Sequence, residues 1–325
     1  KYDEDEARVE HLYDIFGAWA DMSYDGRILA VGLPRDDPLN VTDAGSVRVM
    51  ELEIPSEHNG DSQRWSLKGH GNYIKGTEPY GWTGTTFSLS FDGSMIAVAS
   101  PLASMYRGNI IVYKFESDET IANGGEWIQI GQAIIGDEVG SAVAFVKLSE
   151  DGSMLAACSF IHGKESGQVK IYRWDTFTNL WAQLGSAIEG SDKARLGVFP
   201  QFSRDGLTVA LSQSGVPYKC HVYHWQEVDS DWESIGDDLV FPDGYVGMDL
   251  SPNGKRVLLC SNYEKRCILN SFHSGGWHEA QEFLVEEHGF LPYLFERNGD
   301  GDKIAGIVAP IGKEEGHTIG FYNIS

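Results

Sequence analysis

The chain has 325 residues, with 48 acidic against 25 basic side chains and a formal charge of −23. That balance argues against nucleic acid as the main partner, because binding phosphates needs a basic footprint. No apolar run approaches the length of a membrane span, so direct membrane insertion is not expected either.

Taken in order, the chain opens KYDEDEARVE, which resembles neither a signal peptide nor a transit peptide, although a mature chain freed of its leader would look the same. Val9 to Tyr13 has the pattern of a short strand. A first module follows: Phe16 to Ser23, a turn at Asp25-Gly26, Ile28 to Leu33, a loop through Pro34 and Asn40, Val47 to Leu52, and Trp65 to Leu67. The second module repeats this most plainly. Phe87, Leu89 and Phe91 alternate with serines, Asp92-Gly93 supplies a tight turn, and Met95 to Ala99 runs apolar, as a strand buried on both faces does. Ile110 to Phe115 and Trp127 to Gly131 complete it.

The third module, from Val146 through Asp151-Gly152 to Gly185, is the most regular. The fourth and fifth carry Asp205-Gly206 and Asn253-Gly254, and the sixth carries Asp300-Gly301 and stops after Ile319 to Ile324. Each module reads as four antiparallel strands, the third ending in an aromatic or large apolar residue and the fourth beginning with Trp. Repeats of this size predict an all-β fold, a β-propeller of six four-stranded blades forming one domain over 1–325. The blades fall near 14–68, 82–135, 141–189, 197–240, 245–286 and 290–325, the last completed by residues 8–13. Seven blades are the alternative if residues upstream of Lys1 have been lost.

The pattern "S-x-D-G-x-x-x-A", then "G-x-V-x-V-Y-x-W", then "W-x-Q-L-G-x-x-I-x-G" is carried best by Gly167 to Trp174 and Trp181 to Gly190. It resembles propeller repeats of secreted or surface proteins in marine microbes and algae, and is similar to WD-repeat-like and FG-GAP (integrin α-type) propellers. The resemblance implies an adhesion or interaction platform, extracellular or at the cell surface, or else in an organelle lumen. It also implies calcium bound by an acidic loop. Only Asn298, Asp300 and Asp302 approach such a loop, and an ordinary hairpin turn competes with that reading.

Four cysteines lack metal-ligand spacing. Cys158, Cys220, Cys260 and Cys267 fall in small or apolar slots of the repeat, so buried free thiols are expected, with a Cys260–Cys267 cross-strand disulfide as the alternative. Asn40 opens a glycosylation sequon. His221 and His224 cannot chelate together from one strand, whereas His273 and His278 straddle a Gly-Gly turn and can approach.

Two departures from the repeat mark candidate sites. On the first strand of each module one polar residue sits at the same place: Asp21, Ser88, Lys147, Gln201, Asp249 and Glu296. If those strands ring a channel, these residues line it, either as an acidic cation or catalytic site or merely as solvated and hydrogen-bonded groups. The second departure is the insertion 69–82, whose Tyr73, Lys75, Tyr80 and Trp82 would either stack on a sugar or partner protein or fold down to seal a junction between modules. With no nucleophile elbow, phosphate loop or HExxH, the leading expectation is a non-catalytic platform binding a protein or glycan. The alternatives are a structural subunit of a larger assembly and a metal-assisted hydrolase or lyase using channel carboxylates.

Overall fold

A computed structural model describes residues 19–53, 63–69, 73–118, 120, 124–241, 247–261, 266–284, 296–297, 303–308 and 318–323. These form six antiparallel sheets that follow one another along the chain. Sheet one runs Ala20–Met22, Ile28–Leu33, Ser46–Glu53, Arg64–Leu67, and sheet two Thr86–Leu89, Met95–Ser100, Asn109–Ser117, Gly125–Ile135. Sheet three runs Phe145–Leu148, Met154–Ser159, Gln168–Asp175, Leu180–Gln183, and sheet four Leu196–Phe202, Thr208–Gln213, Tyr218–Gln226, Asp231–Ser234. Sheet five is Gly247–Leu250, Arg256–Ser261, Arg266–His273, Gly276–Leu284, and sheet six is Glu296–Arg297, Lys303–Val308, Thr318–Asn323.

The four-strand expectation is too short by one piece in three sheets. Ile74–Lys75, Ile188–Glu189 and Leu239–Phe241 each pair with the third strand of their sheet, beyond the fourth. Two-residue and three-residue strands carry too little alternation to be seen in a sequence. Contacts divide the chain into two compact units, 1–163 with 171–183 and 164–170 with 184–325, the division passing through the third strand of sheet three. The segment 8–13 lies outside the described residues.

The repeated turn owes its form to a serine. Ser149 Oγ donates to Asp151 Oδ1 at 2.6 Å and accepts the Met154 amide at 2.9 Å, while the Ser153 amide donates to the same carboxylate oxygen at 2.9 Å. Gly152, at φ +71°, turns the chain where a side chain would be strained. The pattern recurs at Ser23/Asp25, Ser90/Asp92, Ser203/Asp205 and, with a neutral acceptor, Ser251/Asn253. Hydrogen bonds hold the carboxyl of Asp25, that from Ser23 foremost, below its usual range. Burial opposes the same effect at Asp92 and Asp151 but does not overcome it.

A second device joins consecutive sheets. In the first unit, Trp127 Nε1 donates to the Lys68 carbonyl at 3.2 Å. In the second, Trp232 donates to Leu184 at 2.9 Å and Trp277 to Ile235 at 2.8 Å. The next residue is always glycine with positive φ, and a Cβ on Gly236 would lie 2.6 Å from the Trp277 ring. Each tryptophan also meets the aromatic that ends its own sheet's third strand, as Trp225 and Trp232 do with centroids 5.6 Å apart. The sequence pattern of terminal aromatic, leading Trp and closing Gly is therefore one interlocking joint.

Apolar residues fill the space between sheets. Ile28, Val47 and Val49 of sheet one pack with Phe87, Ile96 and Val98 of sheet two. Ala210 and Val222 of sheet four pack with Met248, Val257 and Leu259 of sheet five. Cys158 and Cys220 are free and buried, as expected. Cys260 and Cys267 are not: they sit directly opposite in the ladder of sheet five and are joined by a disulfide, which corrects the free-thiol expectation for that pair.

Candidate active site on the first strands

The polar positions of the first strands share one register. Asp21 stands opposite Ala30, Ser88 opposite Ala97 and Lys147 opposite Ala156 in the first unit. In the second unit, Gln201 faces Ala210, Asp249 faces Leu258 and Glu296 pairs with Ala305. The apolar neighbours of Ser88, Lys147, Gln201 and Asp249 are buried, as alternation along a strand directs, whereas Ala20 and Met22 beside Asp21 are exposed.

Within the first unit the three first strands lie side by side, Ala20–Met22 against Thr86–Leu89 and Thr86–Leu89 against Phe145–Leu148. Trp19 Nε1 donates to the Phe87 carbonyl at 3.0 Å. Asp21 then reaches across the same gap: its Oδ2 accepts the Leu89 amide at 2.8 Å and its Oδ1 the Met22 amide at 2.9 Å. The residue is half-buried, as is Lys147. Protein surrounds the carboxylate closely enough that desolvation pushes its pKa up, while the Lys147 ammonium and the two amides pull it back. Asp21 is thus a carboxyl with a raised pKa, in the field of a positive charge and within reach of solvent. In the second unit Asp249 repeats half of the arrangement, its Oδ1 accepting the Leu250 amide at 2.8 Å.

The described part of the insertion, 73–82, is tied down at several points. Tyr80 and Trp82 donate their amides to the Thr42 and Asp43 carbonyls, and Ile74–Lys75 pairs with Ser46 and Val47. Its far side bonds to the next loop, Ser104 N donating to Glu78 Oε2 at 2.7 Å. Tyr80 remains exposed. Lys75 and Arg48 both lie over the Tyr73 ring, at 4.6 and 5.6 Å from its centroid, and Arg35 lies over Trp82 at 5.3 Å. Sequence reading missed Arg35 and Arg48; the Arg48 position gave no signal, since other third strands carry Ile111, Lys170, His221 and Ile268 there.

The remaining candidates separate. Asn40 is exposed, so its sequon is accessible. Asn298, Asp300 and Asp302 lie outside the described residues. At the five described turns one oxygen of the Asp or Asn accepts serine and backbone donors, the geometry of an ordinary hairpin turn. His273 and His278 stack with centroids 4.1 Å apart, and co-facial rings direct their nitrogen lone pairs in parallel rather than onto one ion. His221 is bonded instead to Asp238 at 2.7 Å and Gln213 at 3.2 Å, a chain hidden from the sequence because strand pairing brings 221 and 238 together.

No family model matches the chain, and no curated protein matches it. Solved structures do. A Lactobacillus plantarum protein is similar at 16% identity and TM-score 0.52, over 83% of this chain and 71% of that one. A candidate 6-phosphogluconolactonase from Bacteroides uniformis is similar at 13% identity and TM-score 0.50, over 83% and 86%. The periplasmic gluconolactonase PpgL of Pseudomonas aeruginosa is similar at 16% and 0.52, over 82% and 69%.

The fold is a β-propeller. These likenesses carry the propeller architecture and do not carry the FG-GAP or algal-surface assignment. They also correct the expectation of a non-catalytic platform. Propellers with this fold include proteins named as lactonases, so neither the fold nor the missing serine-nucleophile motifs argue against an enzyme. That expectation equated the absence of a protein nucleophile with the absence of catalysis, whereas a carboxylate beside an ammonium can activate water directly.

Proposed function

We propose that the chain is a hydrolase that opens a cyclic ester of the sugar-lactone class at the first strands of the first unit. The observation that carries the proposal is the Asp21 carboxyl, held by the Leu89 and Met22 amides within the field of Lys147. The lactone class is suggested by the named activities of the similar propellers. In this reading Asp21 accepts a proton from water as its oxygen bonds to the acyl carbon, and Lys147 stabilises the negative charge that develops on the carbonyl oxygen. The ring C–O bond then breaks, and the proton held by Asp21 passes to the departing alkoxide, leaving an open hydroxy acid and the original carboxylate. An extracytoplasmic location accords with the Cys260–Cys267 disulfide, since such bonds persist in oxidising compartments.

The test is acid release from glucono-lactone and 6-phosphoglucono-lactone, measured above the spontaneous rate. Asp21→Asn should lower kcat by about 100-fold or more, the scale of general-base catalysis. Lys147→Met removes the charge that pulls the Asp21 pKa down, so the acid limb of the pH–rate profile should move to higher pH. Turnover by Asp21→Asn at the parent rate would overturn the site. No acceleration of either lactone by the parent protein would overturn the substrate class.

A further inference from the structure

We infer that the edge of sheet one built by Arg35, Arg48, Lys75, Tyr73 and Trp82 is a binding site for a small oxyanion, a phosphate ester or a carboxylate. It is independent of the hydrolytic reading, and its test reads binding rather than turnover.

Register puts the parts together. Ser46 and Arg48 are two apart on the third strand and share a face, and Lys75 pairs directly with Ser46. Their neighbours Val47 and Ile74 point the other way into the apolar packing against Phe87. Tyr73 lies under both cations, 4.6 Å from Lys75 Nζ and 5.6 Å from the Arg48 guanidinium carbon. The loop carrying Arg35 is tied to the same face, because Asp36 Oδ2 accepts the Ser46 hydroxyl at 2.6 Å. Trp82, under Arg35, is held to that loop by the Thr83 and Trp82 amides.

What sets this edge apart is that its cations lie together. Several cations elsewhere find carboxylates: Lys68 with Glu51 at 2.8 Å, Arg195 with Glu165 at 2.5 Å, Lys219 with Asp238 at 2.9 Å and Arg266 with Glu282 at 3.1 Å. Among the described residues Arg35, Arg48 and Lys75 have no ion pair and no side-chain hydrogen bond, although the sequence holds 48 carboxylates. Asp36 is the buried acid of this face, and its oxygens are bonded to Ser46 and to the Asp37 amide instead. Asp37, Asp43 and Glu78 lie on the flanking loops, Asp37 accepting the Asp43 amide and Glu78 the Ser104 amide, and none of them is ion-paired with the three cations.

Aromatic rings orient a cation without neutralising it, so the charge stays available to a ligand. Two cations over one tyrosine ring also repel each other, and an anion between them would relieve that repulsion. The second sign is unmet donors. Arg48 Nε and Trp82 Nε1 are both buried without a hydrogen-bond partner, and both lack an acceptor rather than a donor. An oxyanion supplies acceptors of the kind both atoms need, and guanidinium groups bind such oxygens in pairs.

The experiment is titration calorimetry of the whole chain with inorganic phosphate and, separately, with acetate, at constant ionic strength set by chloride. Saturable binding of phosphate, acetate or both is expected, and the stronger of the two identifies the headgroup. Arg48→Met and Lys75→Met should each weaken it by about tenfold or more, the scale of one charged hydrogen bond. Lys75 is only half-buried, so Lys75→Gln, with the unfolding midpoint measured alongside, guards against loss through misfolding. Trp82→Phe keeps an aromatic ring to sit under Arg35, removes Nε1–H together with the rest of the pyrrole ring, and should weaken binding less. The inference is overturned if neither anion binds saturably, or if binding survives unchanged in folded Arg48→Met and Lys75→Gln variants.

Discussion

Two regions of each sheet obey opposite rules. At the joint between sheets the chemistry repeats in sheets two to five: an aromatic ends the third strand, a tryptophan opens the fourth, and a glycine of the preceding sheet lies beneath it. On the first strand one register position is polar in every sheet, yet its identity changes from Asp21 to Ser88, Lys147, Gln201 and Asp249. A position that needs only to hold the fold repeats its residue. A position that keeps its place but varies its chemistry is free to carry a site, because the backbone has already set its geometry.

Breaking the joint should have the largest effect on stability. Trp232 is almost fully buried, stacks edge-on with Trp225 and bonds to the Leu184 carbonyl. Trp232→Ala should cost about 3–5 kcal/mol, measured as a shift in the urea midpoint at constant slope. Asp21→Asn should leave that midpoint much closer to the parent. If the two variants are equally destabilised, the contrast between scaffold and site fails.

A smaller loss is expected at the turn. Ser149→Ala would strip the Met154 amide of its buried acceptor and Asp151 of a donor, at about 1–3 kcal/mol. The smallest effect is a pH dependence. Asp25, Asp92 and Asp151 have folded pKa values below the ordinary 3.8, so the unfolded chain binds their protons first. Their contribution is fully present above pH 3.8 and is lost as pH falls through the lowered folded values. Asp21, with its pKa raised, has the opposite sign: its ionised form costs stability, and acid relieves the cost. Asp151→Asn should keep the turn, as Asn253 does in sheet five, while flattening the acid limb of the unfolding midpoint.

Most of the architecture was legible because its signals are local. Asp-Gly after an alternating run sets a hairpin, and Trp127, Trp181, Trp232 and Trp277 recur at matching places. The first-strand polar row was legible for the same reason, since register follows from the turn. What strand pairing alone creates was not. Ile74–Lys75 had no pattern of its own until it paired with Ser46 and Val47, so the sequence showed no strand within the insertion. The contacts of Asp21 with Leu89 and Lys147 span separate sheets, and no spacing within the chain encodes them. Cys260 and Cys267 were placed in buried slots correctly, but a slot does not reveal whether the residue across from it lies within bonding distance.

That disulfide has a consequence for how sheet five assembles. Cys260 and Cys267 are seven residues apart, a loop so small that its closure restricts the unfolded chain by only about 2 kcal/mol. What the bond does fix is strand alignment. A slip of one residue between Arg256–Ser261 and Arg266–His273 would turn Val257, Leu259 and Ile268 away from the apolar packing of sheet four. A sulfur rung between directly opposed residues forbids that slip. Its main yield is therefore the correct pairing, held by a covalent bond as well as by the packing of the neighbouring sheet.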